Sequence, residues 1–145
     1  MPYRAPVSDY EFLLRHVVGY DRVSGTERFA EADADVASAI LTEAGKMCEE
    51  ILAPLQRPGD LNPARLENGV VRTPKGFPEA YVEFIEGGWN GVPFDPDYGG
   101  QGLPYLVTTA VYEIWHAANM ALALCPTLTQ AAVELLSVHG SDGLK

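Results

Sequence analysis

The stretch from Tyr105 to about Leu122 constrains this chain most. It has the length of a helix and is apolar nearly all round, with Leu106, Val107, Ala110, Val111, Ile114, Trp115 and Ala118 leaving little polar surface. Such a helix must be central, covered by neighbours on most sides rather than lying on the surface. The neighbours read as helices too. Val36, Ala37, Ile40, Leu41, Ala44, Cys48, Ile51 and Leu52 form one stripe, while Glu43, Lys46, Glu49 and Glu50 fall mostly elsewhere. Pro54 is expected to end that helix. An earlier helix opens on a capping box, Ser8 with Glu11, carries Tyr10, Leu13, Leu14, Val17 and Val18, and stops at Gly19. Another follows Pro78, with Tyr81, Phe84 and Ile85 on its apolar face and Gly87-Gly88 past its end. A last one, over 127–139, carries Leu128, Ala131, Ala132, Leu135, Leu136 and Val138. Between them, Asn68-Gly69 flanked by Leu66 and Val70-Val71 reads as a type I′ turn joining two very short strands. The expectation is one all-α domain over residues 1–145, about five helices in a partly open bundle with one short β-hairpin-like turn.

Charge narrows the partners. Twenty acidic residues against ten basic ones give a net charge of −10, spread along the chain. Nothing here can neutralise a run of phosphates, which argues against nucleic acid and against anionic lipid. No single apolar run approaches the ~20 residues that span a bilayer. Cys48 and Cys125 lie far apart in apolar helical contexts and read as two buried free thiols of a reducing compartment. Met1 to Pro6 carry no apolar or Arg/Ser-rich leader, so a cytoplasmic location is expected.

Three constellations invite chemistry, and each is incomplete. Glu113 and His116 form a Glu-x-x-His pair of the kind used in carboxylate-bridged di-iron bundles. The chemistry requires a second such pair, and neither His16 nor His139 has a Glu three residues before it. Gly99-Gly100-Gln101-Gly102 precedes a helix as a phosphate cradle would. It matches neither dinucleotide nor Walker spacing, and no Lys or Arg follows nearby, so glycines serving positive φ and close packing are the plainer account. Cys125 precedes Pro126 with no His-Asp arrangement to activate it. No complete active site is visible in the residues themselves.

An ordered series of segments carries a resemblance. Glu86-Gly87-Gly88-Trp89-Asn90-Gly91 comes first, followed by Asp97-Tyr98-Gly99-Gly100-Gln101-Gly102-Leu103-Pro104 and Ala118-Asn119-Met120-Ala121. Pro126-Thr127-Leu128-Thr129-Gln130 and His139-Gly140-Ser141-Asp142 close it. In that order and spacing they resemble the N-terminal helical domain of FAD-dependent acyl-CoA dehydrogenases. Tyr3 to Asp9, Cys48 to Leu55 and Thr73 to Phe77 resemble one longer branch, which includes bacterial 3-methylmercaptopropionyl-CoA dehydrogenases.

The resemblance implies α,β-dehydrogenation of an acyl-CoA thioester to a trans-2-enoyl-CoA. A glutamate removes the α-proton, flavin N5 takes the β-hydride, and electrons pass to an electron-transferring flavoprotein. In the family, the flavin pocket is shared by a middle β-domain and C-terminal helices, and the latter carry the base. Both are expected to lie beyond this sequence, so this chain alone is expected to bind no FAD and to hold no catalytic residue. Its partners would be those missing domains or a companion chain, and its exposed apolar surface offers a route to a homo-oligomer. By the same resemblance Val111, Tyr112, Trp115, Leu124 and Pro126 are candidates for the wall of the acyl pocket. Buried core positions would show the same pattern. If they do line it, bulky Tyr112 and Trp115 suit a short or narrow acyl group. The alternative is a stand-alone, inactive helical module that binds a partner protein or an acyl ligand.

Overall fold

The computed structural model describes residues 2–145, so of the N-terminal leader reading only Met1 lies outside it. The fold is all-α with one two-stranded hairpin, as expected, but several helix boundaries move. α1 (Val7–Phe12) runs into a π-helical turn, Leu13–Val18, that closes on Gly19 in the left-handed conformation with φ 68°. The capping box does not form. Pro6 takes the cap position, Ser8 lies inside the helix, and Glu11 instead accepts the hydroxyl of Ser38 from the neighbouring helix. The acidic stretch that follows is not wholly irregular: α2 (Asp21–Ser24) and a 3-10 turn, Glu27–Phe29, occupy it. Tyr20 anchors it by donating its buried hydroxyl to the Ala32 carbonyl at 2.7 Å.

α3 (Ala34–Met47) is capped by Asp33, whose Oδ1 accepts from the N–H groups of Asp35 at 3.0 Å and Val36 at 2.9 Å. Pro54 does not end this helix. The backbone widens into a π segment, Cys48–Leu52, and continues as α4 (Ala53–Leu61) with Pro54 in its first turn. Proline is tolerated there because the widened π segment before it shifts the backbone hydrogen-bond ladder at the place where Pro54 has no N–H to give. β1 (Arg65–Glu67) and β2 (Val70–Arg72) then pair antiparallel, Leu66 opposite Val71. Asn68 and Gly69 between them have φ 51° and 78°, the positive pair a type I′ turn requires.

α5 (Phe77–Glu86) leads through a tight loop to α6 (Tyr105–His139). α6 contains the two helices expected over 105–122 and 127–139, but their junction does not fall between 122 and 127. The backbone breaks at Asn119 (φ −158°, ψ 88°), seven residues earlier. The break is sharp enough for Tyr105 Oη to donate to Glu134 at 2.8 Å, 29 residues along the chain. The arms 105–118 and 120–139 therefore run back along one another. Pro126 forfeits one N–H inside the second arm, which is held beyond it by Glu134 and by Gln130 Nε2 donating to the Asn90 carbonyl at 3.2 Å.

The first arm is central, as its composition requires: Val107, Thr108, Val111, Ile114 and Trp115 are fully buried. Phe84 meets the Trp115 ring edge-on at 4.7 Å, and Trp89 does so at 6.1 Å. The second arm is different. By length and composition α6 is apolar enough to cross a membrane, with a mean hydropathy of 1.5 over its most apolar window, of which only 22% is buried. The expectation of no such run fails in the second arm alone, where Glu134 is the one Asp, Glu, Lys or Arg between Met120 and Val138.

Candidate functional site

The bend at Asn119 shapes the largest concavity described. The end of α4, the base of the hairpin, α5 and the start of the second arm enclose an open groove of about 860 Å3. Its walls are mainly apolar, from Phe77 and Tyr81 on α5 and Met120 and Leu124 on α6, with Gln56 and Asp60 of α4 among the polar groups. Gly59 lets α5 approach α4 to make one side. A Cβ there would stand 2.8 Å from the far edge of the Phe77 ring, so a larger residue would displace that ring.

Asn119 sets the geometry and is 1% exposed. Its Oδ1 accepts the N–H of Leu122 at 3.2 Å, the cap of a new helix start. Its Nδ2 donates to the carbonyl of Leu52, the last residue of the π segment, at 3.0 Å. One amide thus satisfies the first turn of the second arm and ties it to the α3–α4 rod. Sequence reading missed it, although an Asn inside an apolar helical run is itself a capping signal.

The residues expected at the acyl wall are not brought together. Val111 and Trp115 lie in the core, Pro126 is buried, and only Leu124, 52% exposed, lines the groove. Tyr112 packs on Trp115 with ring centroids 5.3 Å apart. Desolvation, with Tyr105 and Glu134 adding to it, pushes its phenol up to about 12. Trp115 Nε1 is buried without a hydrogen-bond partner, as are Asn90 Oδ1 and Gln130 Oε1 nearby in the fold.

The glycine loop is fully used by its own backbone. The N–H groups of Gly99, Gly100, Gln101, Gly102 and Leu103 donate to the carbonyls of Pro96, Asp95, Gly91, Phe94 and Val92. None is left to cradle a phosphate. Gly99 and Gly102 have φ 84° and 67°, and a Cβ on Gly100 would fall 2.1 Å from the Phe94 carbonyl oxygen. His116 Nδ1 is turned onto its own helix, at 2.7 Å from the Tyr112 carbonyl, and Glu113 is exposed. One of the two thiols departs from expectation. Cys48 is buried, and desolvation, with Glu49 beside it, raises it to about 12, whereas Cys125 is exposed at the groove. Cys125 escapes burial because the second arm turns its side away from the core.

The chain belongs to the acyl-CoA dehydrogenases, matching the family described as "Acyl-CoA dehydrogenase, N-terminal domain" over residues 34–145. It is 41% identical over its whole length to a 3-methylmercaptopropionyl-CoA dehydrogenase of Ruegeria pomeroyi, spanning 25% of that protein. It is 32% identical over 83% of its length to a broad-specificity linear acyl-CoA dehydrogenase, FadE5, of Mycobacterium tuberculosis, spanning 20% of that protein.

Proposed function

We propose that this chain serves as the N-terminal helical domain of an acyl-CoA dehydrogenase and supplies one wall of its acyl pocket. FAD and the glutamate base would come from segments outside residues 1–145, and the assembled enzyme would pass electrons to an electron-transferring flavoprotein. The observation that carries the reading is the groove at the α6 bend: concave, mainly apolar, and open along one side for another element to close. Leu124 is the contact residue, with Met120 beside it. Val111, Tyr112, Trp115 and Pro126 act from behind by fixing the two arms. FAD in such an enzyme accepts the β-hydride. The phosphates of its dinucleotide need donors that the Gly99–Gly102 loop does not offer, which supports a flavin site outside this chain. The exposed second arm favours a domain that packs on others over a stand-alone module.

Two measurements test this. Mixed with FAD and desalted, the chain should retain no flavin absorbance, and butyryl-CoA should bleach nothing. A yellow protein bleached by butyryl-CoA would place the flavin site inside these residues. In calorimetry, octanoyl-CoA should bind weakly, free coenzyme A should not, and Leu124→Glu should abolish the heat. Equal heats from octanoyl-CoA and free coenzyme A would remove the acyl reading of the groove.

A further inference from the structure

The hairpin beside the groove adds nothing to the core, because all six residues of β1 and β2 are exposed. Asn68-Gly69 fixes its tip, and Pro63 and Pro74 stiffen the chain at its two ends. A projection that buries nothing is explained by what it presents. Arg65 stands directly opposite Arg72 in the register, so both side chains leave the ribbon on one face, where like charges repel. Among the described residues neither arginine has an ion-pair partner: the pairs formed are Arg4 with Glu49 and Arg57 with Asp60. Glu67 shares their face and pairs with neither. Lys75, just beyond Pro74, is a third cation without a carboxylate partner. Over residues 56–78 four basic residues stand against two acidic ones, in a chain whose net charge is −10.

This local reversal of charge lies at the rim of the groove. Ala64, Thr73 and Pro74 line the wall, and Arg65, Arg72 and Lys75 are their immediate chain neighbours. At about 3.4 Å per residue, the arginine pair stands one step beyond the wall. A phosphate group between the two guanidinium forks would replace their repulsion by charge-assisted hydrogen bonds. So small a surplus suits one compact anion, whereas the acidity of the whole chain excludes a polyanion. Resting on the acyl reading of the groove, we propose that Arg65 and Arg72, with Lys75, hold the phosphates of the coenzyme A moiety of the substrate. An acyl chain lying between Phe77 and Leu124 carries its phosphates at the far end of a pantetheine arm. They must therefore emerge from the groove, and the hairpin side is where unpaired cations meet them. Exposed contacts of this kind together contribute about tenfold in affinity. That is too little to hold free coenzyme A measurably.

Calorimetry of the full 145-residue chain with octanoyl-CoA and with S-octanoyl-pantetheine, which keeps the thioester but has no phosphate, separates the rim from the groove. Octanoyl-CoA should bind about tenfold more tightly, and the preference should shrink as sodium chloride is raised. Arg65→Gln with Arg72→Gln should abolish the preference and leave octanoyl-pantetheine unchanged. The Tm of this variant should not fall, because a like-charge pair is removed; a fall would show that the arginines are already compensated within the fold and would overturn the proposal. Arg15→Gln with Arg28→Gln, the same change of charge elsewhere, should leave the preference intact. Equal binding of the two ligands would overturn the proposal while the acyl reading stands. So would a preference lost to the same degree in the Arg15, Arg28 variant, since net charge alone would then account for it. No heat from either ligand would remove the acyl reading itself, and this proposal with it.

Discussion

Replacing Asn119 tests whether one buried amide fixes both the bend of α6 and the groove beside it. In Asn119→Ala the Leu122 N–H loses its cap, worth about 1 kcal/mol. The Leu52 carbonyl keeps its place in the first turn of α4 but loses its second donor, worth about 0.5–1.5 kcal/mol. Together the variant should lose roughly 2 kcal/mol of a total of about 5–15. For a chain of this size that is a fall in Tm of roughly 5–8 °C. Urea unfolding followed by circular dichroism would measure it. Asn119→Asp separates the two contacts. A carboxylate can still accept from Leu122, but at neutral pH it faces the Leu52 carbonyl with no proton to donate. Its folded-state pKa should therefore lie above that of an unfolded Asp. Stability is then present below the unfolded value and lost as pH rises through the folded one, so this variant should recover stability on acidification. A loss below about 0.5 kcal/mol in the alanine variant would show that the bend does not depend on this side chain. An aspartate variant as stable as wild type at pH 7 would show that the Leu52 bond does not matter.

The remaining predictions probe the packing around the arms. Burial holds the phenols of Tyr3, Tyr10 and Tyr112 at about 12, so absorbance at 295 nm should show them ionising well after ordinary tyrosines. Their folded-state values lie above the unfolded one, so the stability they contribute is complete below pH 10 and is lost as pH rises towards 12; an alkaline limb without that loss would contradict their burial. Exposed Cys125 should react with a thiol reagent in the native protein, and Cys48 only after unfolding; two equally fast thiols would refute the packing of the π segment. Gly100→Ala should destabilise the chain by more than about 1 kcal/mol, because its Cβ meets the Phe94 carbonyl, and a neutral result in thermal unfolding would mean the loop is looser than described.

How much of this was legible in the sequence depends on which interaction decides each feature. Local chemistry read well. Asn68-Gly69 requires the positive φ pair it has, Gly19 ends its helix in the left-handed conformation, and the apolar run from Tyr105 lies at the centre. What read poorly was settled between elements. Ser8 and Glu11 have the spacing of a capping box, yet the Ser38 hydroxyl of α3 takes the glutamate. Pro54 looks like a helix end, yet the π segment absorbs it, and the gap expected over 123–126 is helical, with contacts from Asn90 and Tyr105 holding the arm beyond Pro126.

The acyl wall shows the same division more sharply. Val111, Tyr112, Trp115, Leu124 and Pro126 all lie on α6, and on a straight helix their spacing would leave their surroundings undecided. The bend at Asn119 changes their surroundings: Val111 and Trp115 before it turn into the core, and after it Leu124 faces the groove while Pro126 faces inward. Because Asn119 reaches 67 residues back to Leu52, periodicity along α6 could not have supplied the answer. The residue that makes the site concave is thus a polar one whose partners belong to two different helices. A search for apolar contacts passes over such a residue, whereas a search for buried amides within apolar runs would find it.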